Sequence, residues 1–172
     1  MEKHVIKLLN QLNNETKEHS IRVAELFKNI SKDAGLETRL SWEIGILHDI
    51  GKMFIPSRIL RKSSRLTGFE REIIDAHSYY GYRYLSEEGY SDDICIPVLY
   101  HHGFDKYPNL EIEITDEQIK YIKALHTIDV YDAITNNRCY RKKMSKSEAY
   151  DIMTDDEMIE EKIKELLFKN SI

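Results

Sequence analysis

The sequence predicts an all-α protein of seven to nine helices. Three observations lead there. Apolar residues recur at helical spacing through most of the 172 positions, and no stretch alternates as a half-buried strand would. Three capping boxes mark helix starts, each a Ser or Thr with Glu or Gln three residues on: TGFE from Thr67, TDEQ from Thr115 and SKSE from Ser145. In chain order, Val5, Ile6, Leu8, Leu9 and Leu12 line a first helix. Ile21, Ala24, Leu26, Phe27 and Ile30 line a second, stopped near Gly35, and Leu40, Trp42, Ile44 and Leu47 carry a third into His48. The Thr67 box opens a helix, Ser91 and Pro97 fit the start of another ahead of His101-His102, and the boxes at Thr115 and Ser145 open two more. Met158, Ile159, Ile163, Leu166 and Leu167 set a last helix over 155–169. With three prolines, seven glycines and no repeat or Ser/Gly linker, one domain over residues 1–172 is expected.

A chain of this length can bury a core without disulfide or metal staples, so a bound metal would serve chemistry. Cys95 and Cys139 form no CxxC pattern, no secretory leader opens the sequence, and no apolar run approaches the roughly 20 residues of a membrane span. A cytoplasmic protein that does not enter membranes is the expectation. The net charge of −5 argues against binding bulk nucleic acid. Two basic islands, SRILRKSSR (57–65) and NRCYRKKMSK (137–146), suit a small anionic substrate, although either alone is equally a solvated face.

Within GILHDIGKMFIP (45–56) a histidine stands beside an aspartate where a helix should end, with Gly51 as the turn. Five of the seven histidines fall into an ordered series with acids: Glu15 and His19, His48 and Asp49, His77, His101 and His102, Asp129. Counted His19, His48, His77, His101, Asp129, the steps are 29, 29, 24 and 27 residues. Each step is one helix and a turn, so successive helices can deliver ligands to a shared centre. Glu15 and His19, four apart, share a helix face. Imidazoles with carboxylates and no thiolates suit iron, manganese, zinc or nickel better than calcium or magnesium. The set is too large for one ion, and Asp49 is placed to bridge two ions about 3.5–4 Å apart, an arrangement suited to in-line displacement at phosphorus. His4 and His126 read as ordinary histidines, with His126 one turn before Asp129 and near the site.

The order H…HD…H…HH…D resembles the HD superfamily of metal-dependent phosphohydrolases. HDIGKMFIPSRILRKSSRLTGFEREIIDAHSYYGYRYL (48–85) is similar to the central stretch of the HD-GYP subgroup, and DVYDAITNNRCYRK (129–142) to its DxYDALTxxRPYxK segment. The motif-bearing part runs from 15 to 150. Where the subgroup carries HHExxDGxGYP, this chain reads HHGFDKYP (101–108), three residues shorter, and Cys139 replaces the proline of RPY.

The resemblance implies an HD-domain helical bundle around a metal centre that hydrolyses a phosphodiester, typically cyclic di-GMP. It implies His19, His48, Asp49, His77, His101, His102 and Asp129 as metal ligands, with Glu15 as an extra carboxylate for a third ion. Two or three divalent ions, iron or manganese, follow from it. So do Lys52, Arg138 and Arg141 as phosphate contacts, and a homodimer or a diguanylate-cyclase-type partner in signalling. In the mechanism expected, the metals activate water for attack at phosphorus, with Asp49 and Lys52 as the catalytic residues; Lys52 neutralises a phosphate oxygen. Arg138 and Arg141, three apart, grip phosphate. Tyr131 and Asp132 support Asp129, while Tyr79, Tyr80, Tyr82 and Tyr84 pack the core. The competing expectations are a nucleotide or alarmone phosphohydrolase, a catalytically silent signalling module, and a di-iron oxygenase.

Overall fold

In the computed structural model, residues 2–136 and 143–169 are described. Among them are α1 (Glu2–Leu9), α2 (Asn14–Ala34), α3 (Thr38–Leu47), α4 (Ser57–Leu60), α5 (Gly68–Asp75), α6 (His77–Glu87), α7 (Asp92–Tyr100), α8 (Asp116–Thr135), α9 (Lys146–Thr154) and α10 (Glu161–Lys169), with 3₁₀ turns at Ile50–Phe54 and Phe104–Lys106. No strand occurs among the described residues. Nine of the helices have eight residues or more, and α4 is a single turn. None is long and apolar enough to cross a membrane.

All three capping boxes form in both directions, at Thr67, Thr115 and Ser145. Asn13 caps α2 by accepting from the Thr16 amide, so that helix begins well before its first apolar marker, Ile21. Gly35 ends it with φ 80°, the left-handed cap that glycine adopts without strain.

The long helices α2 and α8, with α3 and α7, enclose a core built on Val23, Phe27, Ile44, Leu47, Leu125 and Ile128. The α2–α3 contact is very close, since a Cβ on Gly45 would lie 2.8 Å from Ala24 Cα. Gly51 acts in the same way. A Cβ there would meet the His77 carbonyl oxygen at 1.9 Å, so glycine lets the 3₁₀ turn sit directly on α6. The turn expected at Gly51 is present, and it is a buried one: the residue lies between Asp49 and Lys52 and packs against α6.

Other boundaries move for local reasons. Leu12 is buried beyond the end of α1, whereas Ile6 faces solvent. Pro97 lies inside α7, not in its first turn. The last helix begins at Glu161, because Asp156 turns back on itself to accept from the Met158 amide and also reaches His126.

Candidate metal centre

The ends of three helices supply the geometry. His48 follows α3, His77 follows α5 by one intervening residue, and His101 follows α7. Each donates its Nδ1 hydrogen to the carbonyl three residues back: His48 to Gly45 at 2.8 Å, His77 to Ile74 at 2.7 Å, His101 to Val98 at 2.7 Å. These carbonyls belong to final helical turns, where intrahelical partners run out. A carbonyl can only accept, so the hydrogen sits on Nδ1 and the Nε2 lone pair is left pointing inward. The Nε2 atoms of His48, His77 and His101 are buried and have no hydrogen-bond partner.

Carboxylates complete the centre. Asp49 Oδ1 lies 3.1 Å from His77 Nε2, while Oδ2 lies 3.5 Å from His48 Nε2 and 3.7 Å from His19 Nε2. Its two oxygens thus face two different histidine groups. Asp129 Oδ1 is 2.9 Å from His19 Nε2 and 3.9 Å from His48 Nε2. Ligand-capable atoms gather within 4.8 Å in three sets: His77, His101 and His102; His19, His48 and Asp49; His48, His101 and Asp129. All seven residues of the His/Asp series come together. Glu15 does not join these sets; it is exposed, at the rim of the cavity that His19, Asp49 and Lys52 help to line.

The electrostatics suit a cation. Burial, with His102, His48 and His77 nearby, pushes His101 well below the usual histidine pKa, and burial lowers His48. Burial and the neighbouring His77 bring His102 down to about 3. Burial works against the charge of Asp49, yet Lys52, His48 and His77 outweigh it and hold that carboxyl well below its ordinary range. Asp129 is held low in the same way, chiefly by His19. Neutral imidazoles and ionised carboxylates are the forms that bind divalent ions. Three partnerless buried nitrogens beside two ionised carboxylates are a donor set that a divalent metal fits.

His19 differs. Burial would lower its pKa, but Asp129, Asp132 and Asp49 raise it to about 9. Its Nδ1 lies 2.7 Å from Asp132 Oδ2, and Arg22 grips that same carboxylate through Nε at 2.8 Å and through its terminal nitrogen at 2.9 Å. Asn136 adds a 2.9 Å bond. Asp132 therefore orients His19, which corrects its expected role behind Asp129. Arg22 and Asn136 went unnoticed in the sequence. The signal each carried was spacing of one helical turn: Arg22 lies three residues after His19, and Asn136 four after Asp132.

Behind the centre, His126 donates from Nδ1 to the His101 carbonyl at 2.7 Å, and its Nε2 lies 2.8 Å from Asp156 Oδ2. It buttresses the site and does not line it. Tyr131 packs edge-on against Phe168. Of the four tyrosines near His77, Tyr82 and Tyr84 pack against the main core and Tyr79 against a second cluster, whereas Tyr80 is exposed beside Phe54. In the shortened 103–108 segment, the Tyr107 hydroxyl lies 2.8 Å from Ser78 Oγ and donates to the Asp75 carbonyl at 3.3 Å.

Lys52 reaches Asp49 Oδ2 with Nζ at 2.6 Å. Beside it opens a cavity of about 530 Å³, floored by His19 and Asp49 and walled by the 59–66 segment and α5. The island 57–65 thus borders the centre. Arg138 and Arg141 lie outside the described residues.

An all-helical bundle with a buried His/Asp centre defines the class, and comparison with known proteins agrees. The HD-domain family model matches residues 16–136, and the chain belongs to that phosphohydrolase family. It is 33% identical over 136 residues to the cyclic di-GMP phosphodiesterase PA4108 of Pseudomonas aeruginosa, covering 76% of this chain and 33% of that one. It is 32% identical over 146 residues to the 3′3′-cGAMP-specific phosphodiesterase 1 of Vibrio cholerae, covering 80% and 33%. With the cyclic di-GMP phosphodiesterase of Thermotoga maritima the identity is 31% over 161 residues, covering 85% and 42%. The chain thus spans between a third and a half of the length of these relatives. The HD domain of the Listeria monocytogenes phosphodiesterase PgpH superposes with a TM-score of 0.69 at 19% identity, over 94% of this chain and 95% of that one. That likeness concerns the fold.

Proposed function

We propose that this domain is a metal-dependent phosphodiesterase acting on cyclic di-GMP or a related cyclic dinucleotide. The observation that carries the reading is the trio of buried, partnerless Nε2 atoms beside two ionised carboxylates, one of which, Asp49, also lines an open cavity together with His19. The relatives' activities on cyclic di-GMP and 3′3′-cGAMP support the substrate class, as does the cyclic-di-AMP complex of the PgpH HD domain. His19, His48, Asp49, His77, His101, His102 and Asp129 would hold two divalent ions, iron or manganese, and Asp49, whose two oxygens face different histidines, would be the ligand shared between them. Glu15 at the rim is the carboxylate for a third.

Bound metals supply activation of water and charge stabilisation at phosphorus. The chain's own residues do the rest. Asp132 and the helix-end carbonyls orient the imidazoles, and Asp49 holds Lys52 in place until substrate phosphate competes for its ammonium group. Lys52 then neutralises a non-bridging oxygen as charge builds, a contact stronger in the transition state than in the ground state. Arg138 and Arg141 are proposed to grip a phosphate as well.

The test is elemental analysis of anaerobically purified protein together with turnover of cyclic di-GMP, 3′3′-cGAMP and cyclic di-AMP, and of an alarmone as the competing substrate. Two or more ions per chain and hydrolysis of a cyclic dinucleotide are expected. Hydrolysis of the alarmone alone moves the protein to the nucleotide phosphohydrolases, and an ion-free, inactive protein makes it a silent binding module.

A further inference from the structure

The wall of the cavity carries three arginines that the proposed hydrolysis does not use. Arg61 follows α4, Arg65 lies in the loop beyond it, and Arg71 is on α5, so no single helical face explains their meeting at one opening. The acids around them are mostly taken. Glu70 is bound by Lys62 at 2.7 Å, Asp49 by Lys52 at 2.6 Å, and Asp75 by Lys106 at 3.1 Å. Among the described residues, the side chains of Arg61, Arg65 and Arg71 form no ion pair or hydrogen bond. Glu15 is the one acid lining this cavity that no cation holds. The chain has 30 acidic residues against 25 lysines and arginines, so a concave surface with three uncompensated guanidinium groups departs from its general charge. Guanidinium also matches phosphate geometry with paired donors, which a lysine cannot do.

We infer that Arg61, Arg65 and Arg71 form a second anion subsite, which takes a phosphate group of the substrate other than the one at the metal centre. The inference rests on the proposed function in one respect, that a nucleotide phosphodiester occupies this cavity. It narrows the substrate class to nucleotides bearing at least two phosphates: cyclic dinucleotides, and linear dinucleotides that keep a terminal phosphate. A diester with a single phosphate leaves the arginines without a ligand.

The experiment is calorimetric binding to metal-loaded protein of two linear diguanylates whose internucleotide linkage is a hydrolysis-resistant phosphorothioate. One carries a 5′-phosphate and the other a 5′-hydroxyl. The wild-type protein is expected to bind the phosphorylated ligand at least tenfold more tightly. In the triple variant Arg61→Gln, Arg65→Gln, Arg71→Gln the preference falls to within about twofold. All three residues are exposed, and metal content and unfolding midpoint establish that the variant is folded. Equal binding of both ligands by the wild type overturns the subsite, and so does a triple variant that keeps the preference. Failure to turn over any cyclic dinucleotide refutes the proposed function instead, because this comparison reads binding alone.

Discussion

His19 is held in its protonated form by the carboxylates around it, and this gives it a measurable pH signature. In the metal-free protein both ring nitrogens face carboxylates, Nδ1 toward Asp132 at 2.7 Å and Nε2 toward Asp129 at 2.9 Å. Its pKa is about 9 folded against 6.5 for the free side chain. A raised folded pKa gives stability that is complete below pH 6.5 and fades as pH climbs through 9, here about 3 kcal/mol in all. Metal binding reverses the sign. An ion taken at Nε2 expels that proton, so apparent affinity rises about tenfold per pH unit between 6.5 and 9. Competition titration of the metal at several pH values, and urea unfolding of chelator-treated protein at the same values, read the two effects. His19→Gln should lower the slope of log affinity against pH by about one and flatten the stability loss above pH 6.5. Identical slopes in wild type and variant would remove His19 from the ligands.

Further outcomes follow from the same geometry. His48→Ala and Asp49→Ala should each lose bound metal and hydrolysis together; wild-type metal content and turnover in either would refute the centre. Lys52→Ala should keep its metals while kcat falls by about 10²-fold, as for removal of one group that stabilises transition-state charge; metal loss there would make the lysine structural. Glu15→Gln should reduce bound metal from three ions toward two with the inner pair retained, and a wild type that never exceeds two ions under metal-replete conditions returns Glu15 to a solvated helix start. Gly51→Ala drives a Cβ into the His77 carbonyl and should cost about 3 kcal/mol in urea unfolding, along with metal loss, because the 3₁₀ turn carrying Asp49 must lift off α6. An unchanged unfolding midpoint would falsify that packing.

Much of this was legible in the residues. Helical periodicity and three capping boxes mark real helices, and the ordered His/Asp series converges as its spacing implied. The misreadings have physical causes. The turn at Gly51 was read correctly but not its cause, because close backbone approach and a left-handed turn both call for glycine, and only tertiary packing tells them apart. The segment 155–160 kept helical spacing, yet its backbone is diverted by Asp156, whose partner His126 lies 30 residues earlier. Arg22 escaped notice for a similar reason. It stands 110 residues from Asp132, and its spacing of one turn from His19 does not by itself tell such a contact from an arginine on a solvated helix face.

The recurrence of one local device three times explains why this fold places its histidines at helix ends. A histidine that follows a final turn finds an orphan carbonyl three residues back, so the helix terminus fixes both the tautomer and the ring direction without a dedicated side chain. The same terminus carries the negative end of the helix dipole, roughly half an elementary charge, aimed toward the region where the Nε2 atoms meet. Three helices, α3, α5 and α7, end beside the centre in this manner. His19, within α2 and past its first turn, has no such carbonyl available, because its neighbours are already bonded within the helix. It takes its orientation from Asp132 instead, and that carboxylate in turn requires Arg22 and Asn136. The interior ligand thus brings a buried charge network with it, whereas those at helix ends use backbone that would otherwise be unsatisfied. This difference leaves His48, His77 and His101 with bare Nε2 atoms and His19 with a proton to release.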